Sequence, residues 1–260
     1  MQGHIGVFRS SGDYSLFLYP LLRALQVRVT LFEDATQARL LLSGSGSERP
    51  QAVILPGAPN SAAYRQNMPM GIILKDFVAA GGRVLGICAG AYMLADQIAY
   101  TAPNGASLRR TGYAVVQGIC RGQLPLYPQT IVPQPQTWLN TVARQVQTCD
   151  GPMAMLYWGG GVFEPNDRST AQYTLVRDVD QQWPLVQAIK LGAGLVILSG
   201  VHPEVMGRRL MRVTRRIQAV DSEHQRYRQS QARTLIDTDA PRATWLRRLF
   251  SDPVESLALA

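Results

Sequence analysis

The sequence predicts an α/β protein built on an open, mostly parallel sheet with helices on both faces. Three observations carry that expectation. Strand-length apolar runs alternate with helical patterns at roughly 20–25-residue intervals, the rhythm of successive βαβ units. Of the 260 residues, 46% are apolar, enough for a substantial core and against global disorder. A section from about 105 to 183 breaks the rhythm with frequent prolines and short β-like pieces, and reads as an antiparallel insertion.

The elements follow in order. "HIGVF" (4–8) is a first buried strand, closed by Ser-Ser-Gly. "DYSLFLYPLLRALQ" has a helical apolar period, with Pro20 forcing a kink or a late start. "VRVTLF" (27–32) alternates as a strand, and "EDATQARLLLSGSG" is a short helix ending in glycines. "AVILP" (52–56) is a third strand. "MPMGIILKDFVAAGG" places Ile73, Phe77 and Ala80 on one helical face and stops at Gly81. "RVLGIC" is strand four. After the β-rich section, "PLVQAIKLG" reads as a helix, "GLVILSG" (194–200) as a strand, and "VHPEVMGRRLMRVTRRIQAV" as a closing helix. These elements assign an α/β domain to 1–220 and a polar, then amphipathic, helical extension to 221–260.

The opening "MQGHIGVFRSSGD" does not read as a signal peptide, and no apolar run reaches transmembrane length. The three cysteines, Cys88, Cys120 and Cys149, are far apart and give neither a disulfide framework nor metal-ligand spacing. A reducing cytoplasm is the expected compartment, with no metal and no cofactor. The formal charge of +8 is local: residues 205–260 hold 11 arginines against six acidic residues. Within the closing helix, Arg208, Arg209, Arg212, Arg215 and Arg216 share an arc of about 120° beside Leu210, Val213, Ile217 and Val220. A solvated arginine face over a buried apolar face explains this better than a nucleic-acid surface, since no aromatic residues interleave. In the extension, Trp245, Leu246, Leu249 and Phe250 need a surface to cover: the same domain or a second copy rather than a membrane.

The chemistry centres on "RVLGICAGAYMLA" (83–95). Cys88 ends a strand and opens a helix, flanked by Gly86 and Gly90 in a G-x-C-x-G pattern. A nucleophile on such an elbow needs small neighbours, and a helix N-terminus favours a thiolate. A buried structural thiol is the competing reading. Of the three histidines, His4 opens the first strand and His224 lies in the polar tail. His202 follows an apolar strand in "SGVHPE", on the edge where Cys88 lies, with Glu204 two residues on. Imidazole and carboxylate across a stiff proline make a base and its orienter. "HPE" also fits a helix start, with proline at its first position and glutamate in its first turn, and the two readings can hold together.

The blocks "VILPGAPN", "GGRVLGICAGAYMLA", "LYWGGGVFEP" and "VILSGVHPE" resemble, in this order, the class I glutamine amidotransferase-like fold, a flavodoxin-like architecture. More narrowly, residues 4 to about 216 are similar to the amidotransferase-like domain at the N-terminus of eukaryotic biotin–protein ligases and to its stand-alone bacterial relatives. The resemblance implies a Cys88–His202–Glu204 triad and an oxyanion hole from backbone N–H groups near Gly57 or Ala58 and on Ala89. The stretch after residue 220 is too short to read as the ligase's catalytic domain. Two departures stand out: the usual Pro-Gly-Gly turn is Pro56-Gly57-Ala58, and Ala91 or Tyr92 stands where a substrate-holding glutamine is usual. Candidate substrate contacts are Asn60, Tyr92, Tyr157, Trp158, Gly159, Gly160 and Gly161. For the glycine run, a turn with core aromatics is the alternative to a pocket wall. The sequence thus points to a cysteine-dependent hydrolase or transferase acting on a small-molecule or peptide amide, or a related acyl carbon. The alternatives are a non-catalytic binding or regulatory module, and a PfpI-like protease or deglycase, against which the local "HPE" acid speaks.

Overall fold

The computed structural model describes residues 3–9, 15–58, 62–102, 105–126, 141–167, 171–216 and 222–259, the side chains at 15 and 222–224 excepted. The first half alternates β1 (His4–Phe8), α1 (Ser15–Ala24), β2 (Arg28–Phe32), α2 (Ala35–Leu42), β3 (Ala52–Leu55), α3 (Ala62–Arg65), α4 (Met70–Ala79), β4 (Arg83–Ile87) and α5 (Ala89–Leu94). The β-rich section holds β5 (Ala95–Thr101), β6 (Ser107–Thr111), β7 (Val116–Gly122), β8 (Val142–Thr148), β9 (Gly151–Tyr157), β10 (Val162–Pro165) and β11 (Gln172–Asp178). The chain then runs through β12 (Pro184–Leu191), β13 (Gly194–Ser199), β14 (Val201–His202), α6 (Gly207–Arg216), α7 (Ser222–Ile236) and α8 (Asp239–Ser251).

The main sheet has the order β14-β9-β8-β11-β12-β13-β4-β3-β1-β2. From β2 to β13 every pairing is parallel; beyond β13 each is antiparallel. Much of the expected insertion therefore extends the main sheet, while β10, β7, β5 and β6 form a second, four-stranded sheet. The fold is α/β, as the alternation of patterns predicts.

Side chains alternate across the sheet as the period of two demands. Ile5, Val7, Ile54, Leu85, Ile87 and Ile197 face one side, under Leu18 and Leu22 of α1 and Trp245, Leu246 and Leu249 of α8. Phe8, Val53, Leu55, Val84, Val196 and Leu198 face the other, against α2, α4, α5 and the second sheet. A smaller core joins α6 and α7 to Ala154 and Leu156 of β9. The amphipathic face of the C-terminal extension is thus covered by this chain's own sheet. Arg208, Arg212, Arg215 and Arg216 are exposed on α6 while Leu210 and Val213 are buried; Ile217 and Val220 lie outside the described residues. No helix among the described residues is long and apolar enough to cross a membrane.

Two expectations are corrected. The segment 184–191 is the strand β12, not a helix. Leu185, Val186, Ala188 and Ile189 are all buried, so apolar residues serve both faces and helical periodicity misleads. Gly192, at φ +59, makes the tight hairpin into β13. Ala80 is exposed beyond the end of α4, and Leu74 and Val78 join Ile73 and Phe77 in its buried face. The proline-rich stretch 127–140 lies outside the described residues.

Candidate active site

Cys88 sits at the carboxyl end of β4, directly before α5, with φ 50 and ψ −109. A side-chain-bearing residue at that φ is strained, and the surroundings hold it there. Its N–H donates to the Ser199 carbonyl at 2.8 Å, and its carbonyl accepts from Tyr92 N–H at 3.1 Å. The flanking glycines permit the sharp turn. A Cβ on Gly90 would lie 2.0 Å from the Leu55 carbonyl oxygen, and one on Gly86 2.7 Å from the Ala91 nitrogen. The thiol donates to the Trp158 carbonyl at 3.4 Å and is 9% exposed, at the margin of the interior.

After β13 the chain leaves the parallel sheet at Gly200, and β14 crosses to pair with β9, His202 opposite Leu156. That crossover carries the imidazole toward Cys88. His202 Nδ1 lies 2.8 Å from Glu204 Oε1, both side chains being buried. An ionised carboxylate only accepts, so Nδ1 carries the proton and donates to it. The turn between them closes through Val205 N–H to the His202 carbonyl at 3.2 Å. "HPE" is therefore a turn, and α6 begins only at Gly207. Cys88 is a further polar neighbour of the ring. Burial pulls His202 toward its neutral form, but the Glu204 charge, the Glu204 hydrogen bond and the nearby Cys88 outweigh it, raising its pKa to about 10.

The Trp158 ring lies 6.1 Å from the His202 ring, centroid to centroid. Gly159, Gly160 and Gly161 pass beside the crossover. A Cβ on Gly160 would lie 2.0 Å from the Gly200 carbonyl oxygen, and one on Gly161 2.4 Å from that of Arg121. The close approach these two glycines allow is therefore to neighbouring backbone. Tyr92 is buried, its hydroxyl donating to the Gly159 carbonyl at 3.2 Å. Tyr157 is fully buried; its hydroxyl accepts from Leu124 N–H at 2.7 Å and lies 3.0 Å from the Gly160 carbonyl. Both tyrosines brace the glycine run from the protein side.

Gly57 and Ala58 follow β3, the strand beside β4, and so share the edge on which Cys88 lies. Both are buried, and Tyr64 holds their turn by donating to the Pro56 carbonyl. Ala89 opens α5 and is partly buried. Asn60 lies outside the described residues, as does the side chain of His224. His4 is at the opposite edge, bonded to Thr30. Sequence reasoning missed Arg242 of α8, which is fully buried and donates to the Val205 carbonyl at 3.1 Å. One signal was available: Arg242 shares a helical face with Trp245, Leu246 and Leu249, where a charge is out of place unless paired.

Residues 34–255 match the family described as biotin-protein ligase, N terminal. An uncharacterized protein of Chlamydia muridarum (strain MoPn / Nigg) is 26% identical over 182 residues, 68% of this chain and 63% of that protein. The matched region thus spans less than two thirds of that relative's length. Among solved structures, a glutamine amidotransferase from Methylobacillus flagellatus aligns with TM-score 0.59 and 12% identity, over 100% of this chain and 97% of the other. A second glutamine amidotransferase aligns with TM-score 0.52 and 18% identity, over 88% and 98%. One from Thermotoga maritima gives 0.51 and 13%, over 99% and 96%. At these identities the likeness is one of fold. The family match covers most of the chain, including β4, the crossover and α8, and the chain belongs to the biotin-protein ligase N-terminal family, with a glutamine amidotransferase-like fold.

Proposed function

We propose that the protein is a cysteine-dependent hydrolase or transferase that acts on an amide or related acyl carbon of a small molecule or peptide. The observation that carries this reading is the buried 2.8 Å His202–Glu204 contact beside a thiol on a strained strand-to-helix turn. The Cys88 thiolate attacks the acyl carbon, and the negative charge moves to the former carbonyl oxygen. Backbone N–H groups of Ala89 and of the Gly57–Ala58 turn receive that oxyanion. The tetrahedral species collapses, the carbon–nitrogen bond breaks, and the His202 imidazolium gives its proton to the leaving amine. The thioester then passes to water or another nucleophile, deprotonated by His202, and the thiol is regenerated. Glu204 orients the ring and balances its charge. A reducing compartment such as the cytoplasm keeps Cys88 available.

Two observations favour a second reading, a binding or regulatory module that keeps the site without turnover. Cys88 is only 9% exposed, and Ala91 and Tyr92, both buried, stand where amidotransferases usually hold a glutamine. One experiment separates the two. Ammonia release from glutamine and from a panel of simple amides is compared between wild type and Cys88→Ala, alongside alkylation of the three cysteines at neutral pH. Turnover lost in Cys88→Ala, with Cys88 alkylated well ahead of the buried Cys120 and the exposed Cys149, supports the enzyme. Equal alkylation rates and no Cys88-dependent turnover support the module.

A further inference from the structure

Helix α8 reaches the candidate active site from behind. Asp239, at its start, accepts hydrogen bonds from Gly207 N–H at 2.6 Å and Arg208 N–H at 3.0 Å, and so caps α6 from another element. One turn on, the fully buried Arg242 donates to the Val205 carbonyl at 3.1 Å, the Ala154 carbonyl at 2.5 Å, Thr238 Oγ1 at 3.0 Å and Asp239 Oδ1 at 2.6 Å. Val205 is the residue after Glu204, and its N–H closes the turn onto His202. Ala154 lies on β9, the strand that pairs with His202. Both backbone segments that frame the imidazole therefore hang on one guanidinium.

Electrostatics point the same way. Glu204 Oε2 is buried with no hydrogen-bond partner among the described residues, so its charge relies on nearby cations. Burial draws the Arg242 pKa down to about 10, against the opposing pull of the Asp239 and Glu204 carboxylates. A buried charge of this kind is costly unless its partners are in place.

We propose that Arg242 is a positioning residue: it fixes the acid-bearing turn through the Val205 carbonyl and places a positive charge near Glu204 around pH 7. The inference rests on the Cys88–His202–Glu204 reading above. Tyr92 of α5, Tyr100 of β5 and Cys120 of β7 also bear on Cys88, and burial pushes all three upward, so they stay neutral around pH 7. The pH dependence of Cys88 reactivity is then read without a contribution from these three.

In the full chain, Cys88 alkylation by iodoacetamide is followed from about pH 5 to about pH 10 in wild type, Glu204→Gln, Arg242→Met and Arg242→Lys, with thermal melting alongside. Arg242→Met is expected to slow alkylation about ten-fold near pH 7, with the gap closing as the pH rises. Glu204→Gln should show the same form of displacement. Arg242→Lys keeps the charge but not the forked geometry, and should fall between Arg242→Met and wild type. A lowered melting temperature with an unmoved profile in Arg242→Met makes the residue a structural strut and overturns the proposal. If Arg242→Met does not fold, Asp239→Asn carries the test: it keeps an acceptor for Gly207 but removes the charge that orients Arg242, and an unmoved profile there also overturns the proposal. A displaced profile in Glu204→Gln beside unmoved Arg242 variants refutes this inference alone. An unmoved profile in Glu204→Gln refutes the triad reading and this inference with it.

Discussion

Replacing Glu204 by glutamine reverses the pH dependence of the protein's stability. His202 is fully buried, and its pKa is raised from 6.5 to about 10, the Glu204 charge overcoming burial. The folded state therefore holds a proton that the unfolded chain releases near pH 6.5. The stabilisation is complete below pH 6.5 and is lost as the pH climbs from 6.5 to about 10. Each pH unit in that window removes up to about 1.4 kcal/mol, and the whole window on the order of 5 kcal/mol at most. In Glu204→Gln the carboxylate charge is gone and burial dominates, so the folded imidazole prefers to be neutral. That contribution is present above the unfolded pKa and lost as the pH falls below it. The wild-type stability curve should fall across the alkaline window, while the variant's should rise through the acidic one and then flatten. Urea unfolding at fixed pH values, analysed as the difference between the two proteins, measures this and cancels titrations they share. Parallel curves, or a wild type that gains stability between pH 7 and pH 10, would refute the reasoning.

Two further substitutions test the frame around the site. Gly90→Ala pushes a methyl group to 2.0 Å from the Leu55 carbonyl oxygen, a backbone atom with little freedom to retreat. It should cost about 3 kcal/mol or more in chemical denaturation and displace the Cys88 turn, slowing alkylation; a stable, fully reactive variant would show that the strand and helix can part without consequence. Trp245→Ala removes a fully buried side chain that packs α8 into the core beneath the main sheet. A loss of about 3–5 kcal/mol in one cooperative transition is expected, whereas a separate low-temperature transition would mean that the extension folds on its own.

The parallel half of the sheet was legible because its strands are short apolar runs punctuated by glycine and proline. Ile54, Leu85 and Ile197 each alternate with residues that meet the opposite layer, as a sheet covered on both faces requires. The same property hid β12, where Leu185, Val186, Ala188 and Ile189 are buried on both sides and mimic a helix. The elbow could be read from Gly86 and Gly90, because local crowding leaves a local trace. The His202–Glu204 contact could be read because two residues across a proline cannot move far apart. Arg242 could not be placed: it is 38 positions from Glu204, and only the packing of α8 brings them together. Tyr92 and Tyr157 were visible as aromatics near the site, but their hydrogen bonds to Gly159, Gly160 and Leu124 depend on how two sheets meet.

Arg83 opens the strand that ends at Cys88, and its guanidinium grips the Leu249 and Asp252 carbonyls, each at 2.7 Å, at the far end of α8. The near end of α8 grips the residues after Glu204. A single rod, roughly 20 Å long at 1.5 Å per residue, thus ties the root of the sulfur-bearing strand to the acid-bearing loop. Anything that levered this rod off the sheet, a binding partner or a proteolytic cut, would slacken both tethers together and displace the Cys88 and His202 turns as a unit.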